Sequence, residues 1–569
     1  MANMAKRIIL LFVVCLNGSL LSAQHVYSRS ILIEDVREFV DILENTHPEP
    51  YLKFGGKIQF HKQIQTLIDS IPEGGLTAPA FYDRLSNFVA KMHDGHTFLV
   101  QEPQEDHSTD SILPVSFKIT TDGLVISRSE KEMLNGACLV AVNTIPVETL
   151  LQNVQRIKPV ENKYGAYFEL AQALMSYRST QKLLGSIDPK ELEIKLLLPE
   201  GRSVVKTISY VSFDDKKSLL PSPPDAGKDA RNDAPFAYRY VDAPKKVACL
   251  RYPSTFSREV IELQKQWGQD YTHTLSMLYE KCHLGSVPDS YEEAIRKLPS
   301  FAETFFDLLH DMKKNESTHL IIDLRENGGG WMPINISSLY MLKGDAYFAY
   351  DCKAEYHTLI SERFLEKMNM TLEEYNESHR STYKIGDYQF GYFMRNSWPD
   401  DMPLDGRRKK YLRDTFNKDF SEWKLLESID GSVVYSPKII VITSPATFSA
   451  AFQYAFLLKE ICDAVIVGVP SMQAYNNGIG STYYRLQHTG IRGSVSNSFQ
   501  LFDPEYLIPE SIFRPDYPLT KEIFLKYHCD KDAEIAYILD LIRDEKISLF
   551  PRASLQTTLE GRGTIPRRR

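Results

Sequence analysis

The chain has 569 residues, 43% apolar and 25% charged, with a formal net charge of -8. Such a composition belongs to a folded chain of several domains and excludes a disordered, collagen-like or multi-span membrane protein. A net negative charge argues against nucleic acid as the partner. Seven cysteines with no C-x-x-C pair argue against a disulfide scaffold or a structural zinc site.

Residues 1–23 read as a secretory signal. Lys6 and Arg7 precede an apolar run from Ile8 to Leu16, and Leu21-Ser22-Ala23 offers a cleavage site before Gln24. The run falls short of the ~20 residues needed to span a bilayer, so no stable membrane insertion is expected after its removal. Residues 24–112 form a helical region. Val36, Phe39, Val40 and Leu43 make one stripe, and Phe81, Leu85, Phe88, Val89 and Met92 make a second that ends at a histidine-rich turn. Residues 113–211 change to short β-type runs, among them Leu124–Ser127, Cys138–Val142 and Leu192–Leu198. The polar stretch 212–235 reads as a linker.

From 236 to 550 strands and helices alternate, which predicts an α/β core. Val247–Tyr252, His319–Leu324, Lys438–Thr443 and Ala464–Val469 are its strands, and Phe448–Ile461 is a buried helix. Residues 345–430 read as an insertion over that core, and 551–569 as a basic tail.

Three segments carry residue types suited to chemistry. Asp323-Leu324-Arg325-Glu326-Asn327-Gly328-Gly329-Gly330 follows an apolar strand, and its glycines let backbone N–H groups approach a ligand closely. Dinucleotide and Walker spacings are absent, which leaves a phosphate nest, an oxyanion hole, or a tight turn braced by Asp323 and Arg325. Ser444-Pro445-Ala446-Thr447-Phe448-Ser449-Ala450-Ala451 puts Ser449 in the first turn of a core helix, where free amides favour a developing negative charge. The plain alternative is that Thr447 or Ser449 is an N-cap. His93-Asp94-Gly95-His96 offers a base suited to neutral pH. Its alternative is a helix C-terminus with Gly95 in the left-handed conformation. No carboxylate–histidine motif accompanies the histidines, so neither metal nor other cofactor is expected.

Taken in order, the D-G-H-T turn, the D-L-R-x-N-x-G-G strand-turn and the T-x-S-A-A strand-to-helix turn resemble the tail-specific and tricorn-type serine peptidases. The resemblance is to the secreted bacterial branch. It runs from about residue 30 to about 520 and takes in Thr46-His47-Pro48 and Arg514-Pro515-Asp516. It implies a crotonase-like α/β core of spiral ββα units and a PDZ-like module in the β-rich region. It implies that Ser449 attacks the scissile bond of a peptide or unfolded protein, with the amides of Gly329 and Ala450 as the oxyanion hole. A periplasmic or extracellular location is expected from the signal segment.

The base departs from the commonest pattern of the family. The position of the dyad lysine is Ala474, and no lysine occurs between Lys459 and Lys521, which excludes a Ser/Lys dyad. The tricorn-type alternative makes His96 the base, with His93 and His488 as rivals, and Glu510 as the group that orients it. Gly95 stands where tricorn has a serine, and Glu510 is one residue out of spacing from Pro515-Asp516. The competing reading is an inactive relative that binds a ligand or peptide, as the photoreceptor retinoid-binding proteins do on a similar scaffold.

Overall fold

The computed structural model describes residues 25–100, 111–185, 191–212, 215, 236–350, 354–392, 401–415, 418, 420–502 and 512–547. The expected signal segment, nearly all of the linker, Glu510 and the basic tail lie outside the described residues.

Helix Arg29–Glu44 buries Val36, Phe39 and Leu43 of the first stripe, and Ser28 caps it by accepting from the Ile31 amide. Helix Ala78–Val89 buries Phe81, Leu85, Phe88 and Val89, and a 3-10 turn over Ala90–Met92 continues it. The chain then leaves the helix through His93 at φ 48° and ψ 43°. His93, not Gly95, is therefore the left-handed residue of this turn.

Three larger sheets follow. An antiparallel one joins Val115–Thr120, Gly123–Ser129, Cys138–Val142, Glu191–Leu197 and Ser203–Ser209, with helices Val147–Ile157 and Lys163–Met175 alongside. The central sheet runs Ala237–Tyr240, Val247–Arg251, His319–Asp323, Lys438–Thr443, Val465–Gly468 and Tyr517–Pro518, parallel after its first strand. Its interior strands are apolar throughout because helices such as Phe301–Lys314 and Ala450–Cys462 cover it. His319–Asp323 and Lys438–Thr443 are neighbours with Asp323 opposite Ile442. The glycine-rich loop and the serine loop thus leave the same edge side by side, at the carboxyl ends of parallel strands, where such sheets bind ligands.

The third sheet closes the site from the other side. Its order is Tyr388–Tyr392, Glu355–Leu359, Arg492–Leu501 and Asn476–Arg485, and the short strand Phe98–Leu99 also pairs with Arg492–Leu501. Two of these strands come from the 345–430 stretch. The pairs Phe98–Ser494 and Leu99–Gly493 carry the histidine turn from the N-terminal helices to the C-terminal sheets. No described helix is long and apolar enough to cross a membrane.

Candidate active site

The serine loop is bolted to the glycine-rich loop before the helix begins. Thr447 Oγ1 donates to the Leu324 carbonyl at 2.8 Å and accepts from the Ser444 amide at 3.0 Å. Ser444 Oγ donates to the Arg325 carbonyl at 2.5 Å. Helix Ala450–Cys462 starts two residues later than its apolar pattern predicts, because Ser449 sits at φ 53° and ψ -124°. Ser449 holds the N-cap position but makes no side-chain cap bond. Its Oγ lies 3.0 Å from His96 Nε2 instead, across 353 positions of chain. Its amide donates to Gln473 Oε1 at 2.5 Å.

In the glycine-rich loop, Arg325 pairs with Asp323 at 2.7 Å and with Glu534 at 2.8 Å, a structural brace. Asn327 is fully buried, donating from Nδ2 to the Tyr252 carbonyl at 2.8 Å and accepting the Gly329 amide on Oδ1 at 2.9 Å. The Gly329 amide is thus engaged inside its own loop and is not the donor expected of it. Gly329 matters through its bare Cα. A Cβ there would stand 2.7 Å from Ser449 Cβ and 2.9 Å from the Ala450 amide nitrogen, and φ is +95°. Ala450 opens its helix, where an amide has no intrahelical acceptor.

His96 is buried and stacks on Phe448, with ring centroids 4.8 Å apart and planes 23° from parallel. Gly95 fits between: a Cβ at this position would lie 2.8 Å from Phe448 Cζ and 3.0 Å from Glu161 Oε1, so the serine of the tricorn pattern would have to displace the ring. Asp94 fixes the turn. Its Oδ1 accepts the His96 amide at 2.9 Å; its Oδ2 accepts Thr97 Oγ1 and Ser496 Oγ at 2.6 Å each and His47 Nε2 at 3.0 Å. His47 Nδ1 accepts the Glu49 amide at 2.9 Å, so its Nε2 carries the hydrogen that goes to Asp94.

Burial would raise the Asp94 pKa, but the hydrogen bond from His47, the electrostatic influence of the His47 and His96 rings and the Ser496 hydroxyl override it and hold the carboxyl far below its usual range. Burial lowers the His96 pKa, opposed by Asp94 and the Gly478 carbonyl and aided by the positive charge of Lys367. His96 is thereby kept neutral and able to accept a proton near pH 7. Lys367 has an exposed stem, and its ammonium donates to Asn497 Oδ1 at 2.9 Å; burial of that head pushes its pKa down to about 8.

Glu161 lies beside Asp94 and His96. Its Oε1 accepts the Gly95 amide at 3.0 Å and its Oε2 the Ala474 amide at 2.7 Å. Asp94, His96 and Glu161 each offer a donor atom, all within 4.8 Å of one another. The oxygens of Asp94 and Glu161 each accept hydrogen bonds from the protein, which ties the three residues into one network.

Of the other expected residues, His93 donates from Nδ1 to the Val160 carbonyl at 3.0 Å, and His488 pairs with Glu34 at 3.0 Å. Lys459 pairs with Asp516 at 2.9 Å, and Ala474 is buried. His96 Nδ1 has no hydrogen-bond partner among the described residues, and Glu510 lies outside them. Asp94 and His47 stood in motifs already singled out, without a role. Glu161, Gln473, Ser496 and Lys367 were not singled out. Ser496 had a signal, for Ser494, Ser496 and Ser498 alternate along a strand that is buried on nearly every residue. The others had none.

Residues 294–500 match the family model of peptidase family S41, a span that contains both the glycine-rich loop and Ser449. Residues 294–500 form a peptidase family S41 domain. That domain makes the protein a serine peptidase, acting on peptide or protein. No curated protein matches it. Among solved structures, mature CPAF complexed with lactacystin is 16% identical, with 92% of this chain and 99% of that one covered at a TM-score of 0.52. Mature CPAF alone is 16% identical over the same shares, at a TM-score of 0.50. The photosystem II D1 C-terminal processing protease is 13% identical, covering 90% of this chain and 99% of that one, at a TM-score of 0.35. The two CPAF structures share the fold over 92% of this chain, a span wider than the family match.

Proposed function

We propose that this S41 peptidase is a secreted bacterial endopeptidase in which Ser449 is the nucleophile and His96, rather than a lysine, is the base. His96 Nε2 takes the Ser449 proton as Oγ attacks the scissile carbonyl. It then returns that proton to the leaving amine, and water drawn through the same base releases the acyl group. The Ala450 amide stabilises the oxyanion, with the Gly330 amide, next along the loop, as second donor in place of Gly329. Glu510 is the carboxylate proposed to orient the His96 ring.

The observation that carries this reading is the 3.0 Å contact of Ser449 Oγ with His96 Nε2, made by a serine at an N-cap position that forms no cap bond. Secretion rests on the N-terminal signal pattern. A crotonase-like core and a PDZ-like module are the finer fold reading; the paired strand-to-loop units of the central sheet support the first. The antiparallel sheet packed beside helix Val147–Ile157 supports the second.

The test is labelling of the mature protein by a fluorophosphonate probe. Parent protein is expected to label, Ser449→Ala not at all, and His96→Ala at least a hundredfold more slowly, about the loss expected of a general base. A folded parent that does not label would favour the ligand-binding reading instead.

A further inference from the structure

Three consecutive residues at the start of helix Lys163–Met175 join the two loops that carry the reacting pair. The Val160 carbonyl accepts His93 Nδ1 at 3.0 Å, and Glu161 accepts Gly95 on one oxygen and Ala474 on the other, at 3.0 and 2.7 Å. Asn162 Nδ2 donates to the Ser471 carbonyl at 3.0 Å, while its Oδ1 caps the helix through Tyr164 and Gly165. Gly95 is next to His96, and Ala474 is next to Gln473, whose side chain holds the Ser449 amide. A single carboxylate from the middle of the chain therefore reaches each member of the pair through one intervening residue. Its 66-position and 313-position spans come from two different elements.

We propose that Glu161 is a positioning residue for the peptidase reaction, setting the spacing of His96 and Ser449 and adding a negative charge beneath His96 as the imidazolium forms. The inference rests on the Ser449–His96 reading. Glu161 is buried, and burial first, then the charge of Asp94, pushes its pKa up to about 8, against the Ala474 and Gly95 amides and the Asn477 side chain. Asp94 and His96 face it from the histidine turn, and His93 lies beside it on Val160; the 471–477 loop brings only uncharged side chains apart from the Tyr475 phenol. Ionised Glu161 stabilises the cation that His96 becomes. The rate constant should then rise as pH passes about 8, above a first limb that belongs to His96 and lies below the ordinary imidazole value.

Glu161→Gln replaces one acceptor oxygen with an amide that faces an N–H donor, so one of the two loops is released. The expected result is a kcat lower by about tenfold to a hundredfold with KM within about threefold, and an equally slowed fluorophosphonate reaction. The step near pH 8 should vanish from the kcat/KM profile of Glu161→Gln. It should persist in Lys367→Met, which removes the lysine that acts on His96 and whose pKa is also pushed to about 8. Glu161→Asp, one methylene shorter but still charged, should lose kcat and keep the step, and it serves if the glutamine variant does not fold. A folded Glu161→Gln protein with the parental kcat, or with the step retained, would overturn the inference. A parent that does not label at Ser449 would overturn the reading beneath it, so the two failures are distinct.

Discussion

At Ser449 the backbone and the side chain make opposed demands. A φ of 53° with ψ of -124° is a region that L residues occupy at a cost on the order of 1–3 kcal/mol, held by the surrounding packing. In return Oγ is turned out of the cap and towards His96. Ser449→Ala and Ser449→Gly remove the same hydroxyl, but only glycine accepts the backbone without strain. The glycine variant should therefore unfold at higher denaturant, by about 1 kcal/mol relative to the alanine variant, with both inactive. Equal stabilities would mean that the serine conformation carries no strain. Ser449 and His96 were legible in the sequence because each is a polar residue at the mouth of an apolar element. Glu161 and Gln473 were not, since their meaning arises only from contacts 313 and 24 positions away.

The turns show how far local pattern carries. Strands His319–Asp323 and Lys438–Thr443 emerge almost as their apolar runs predict, because a fully covered parallel strand has little freedom of register or length. The glycine-rich turn was read correctly as a close-approach site but with the wrong donor. Asn327 accepts the amide two residues on, the habit of Asn side chains in turns, and that takes Gly329 out of the reckoning. The same logic governs the histidine turn. Phe448 fills the space above Gly95, so the serine of the tricorn pattern would have to displace the ring. Gly95→Ser should push the Phe448 ring, and with it the stacked His96, away from Ser449. A loss of about a hundredfold in kcat/KM is expected, the scale of an ångström of misplacement, with the fold retained by circular dichroism. Full activity in that variant would show that the ring yields without moving His96.

On the scale of the molecule, the pair exists only because the N-terminal helices dock on the C-terminal hairpin. Little of that docking is legible in the sequence, for its ties are single polar residues rather than periodic faces. Asp35, fully buried on helix Arg29–Glu44, accepts the Thr489 amide at 2.9 Å, Thr489 Oγ1 at 2.6 Å and the His488 amide at 3.1 Å. The hairpin it grips continues into Arg492–Leu501, which pairs with Phe98–Leu99 and delivers Ser496 to Asp94. Asp35→Ala strands buried donors, at a cost of about 1–3 kcal/mol. The variant touches no residue of the pair, so a purely local role would leave the chemistry intact. If docking sets the site, hydrogen exchange should quicken along helix Arg29–Glu44 and across strand Arg492–Leu501 together, and fluorophosphonate labelling of Ser449 should slow in step. Faster exchange with unchanged labelling would mean that the Phe98–Leu99 pairing and the Asp94 network alone keep His96 at its post.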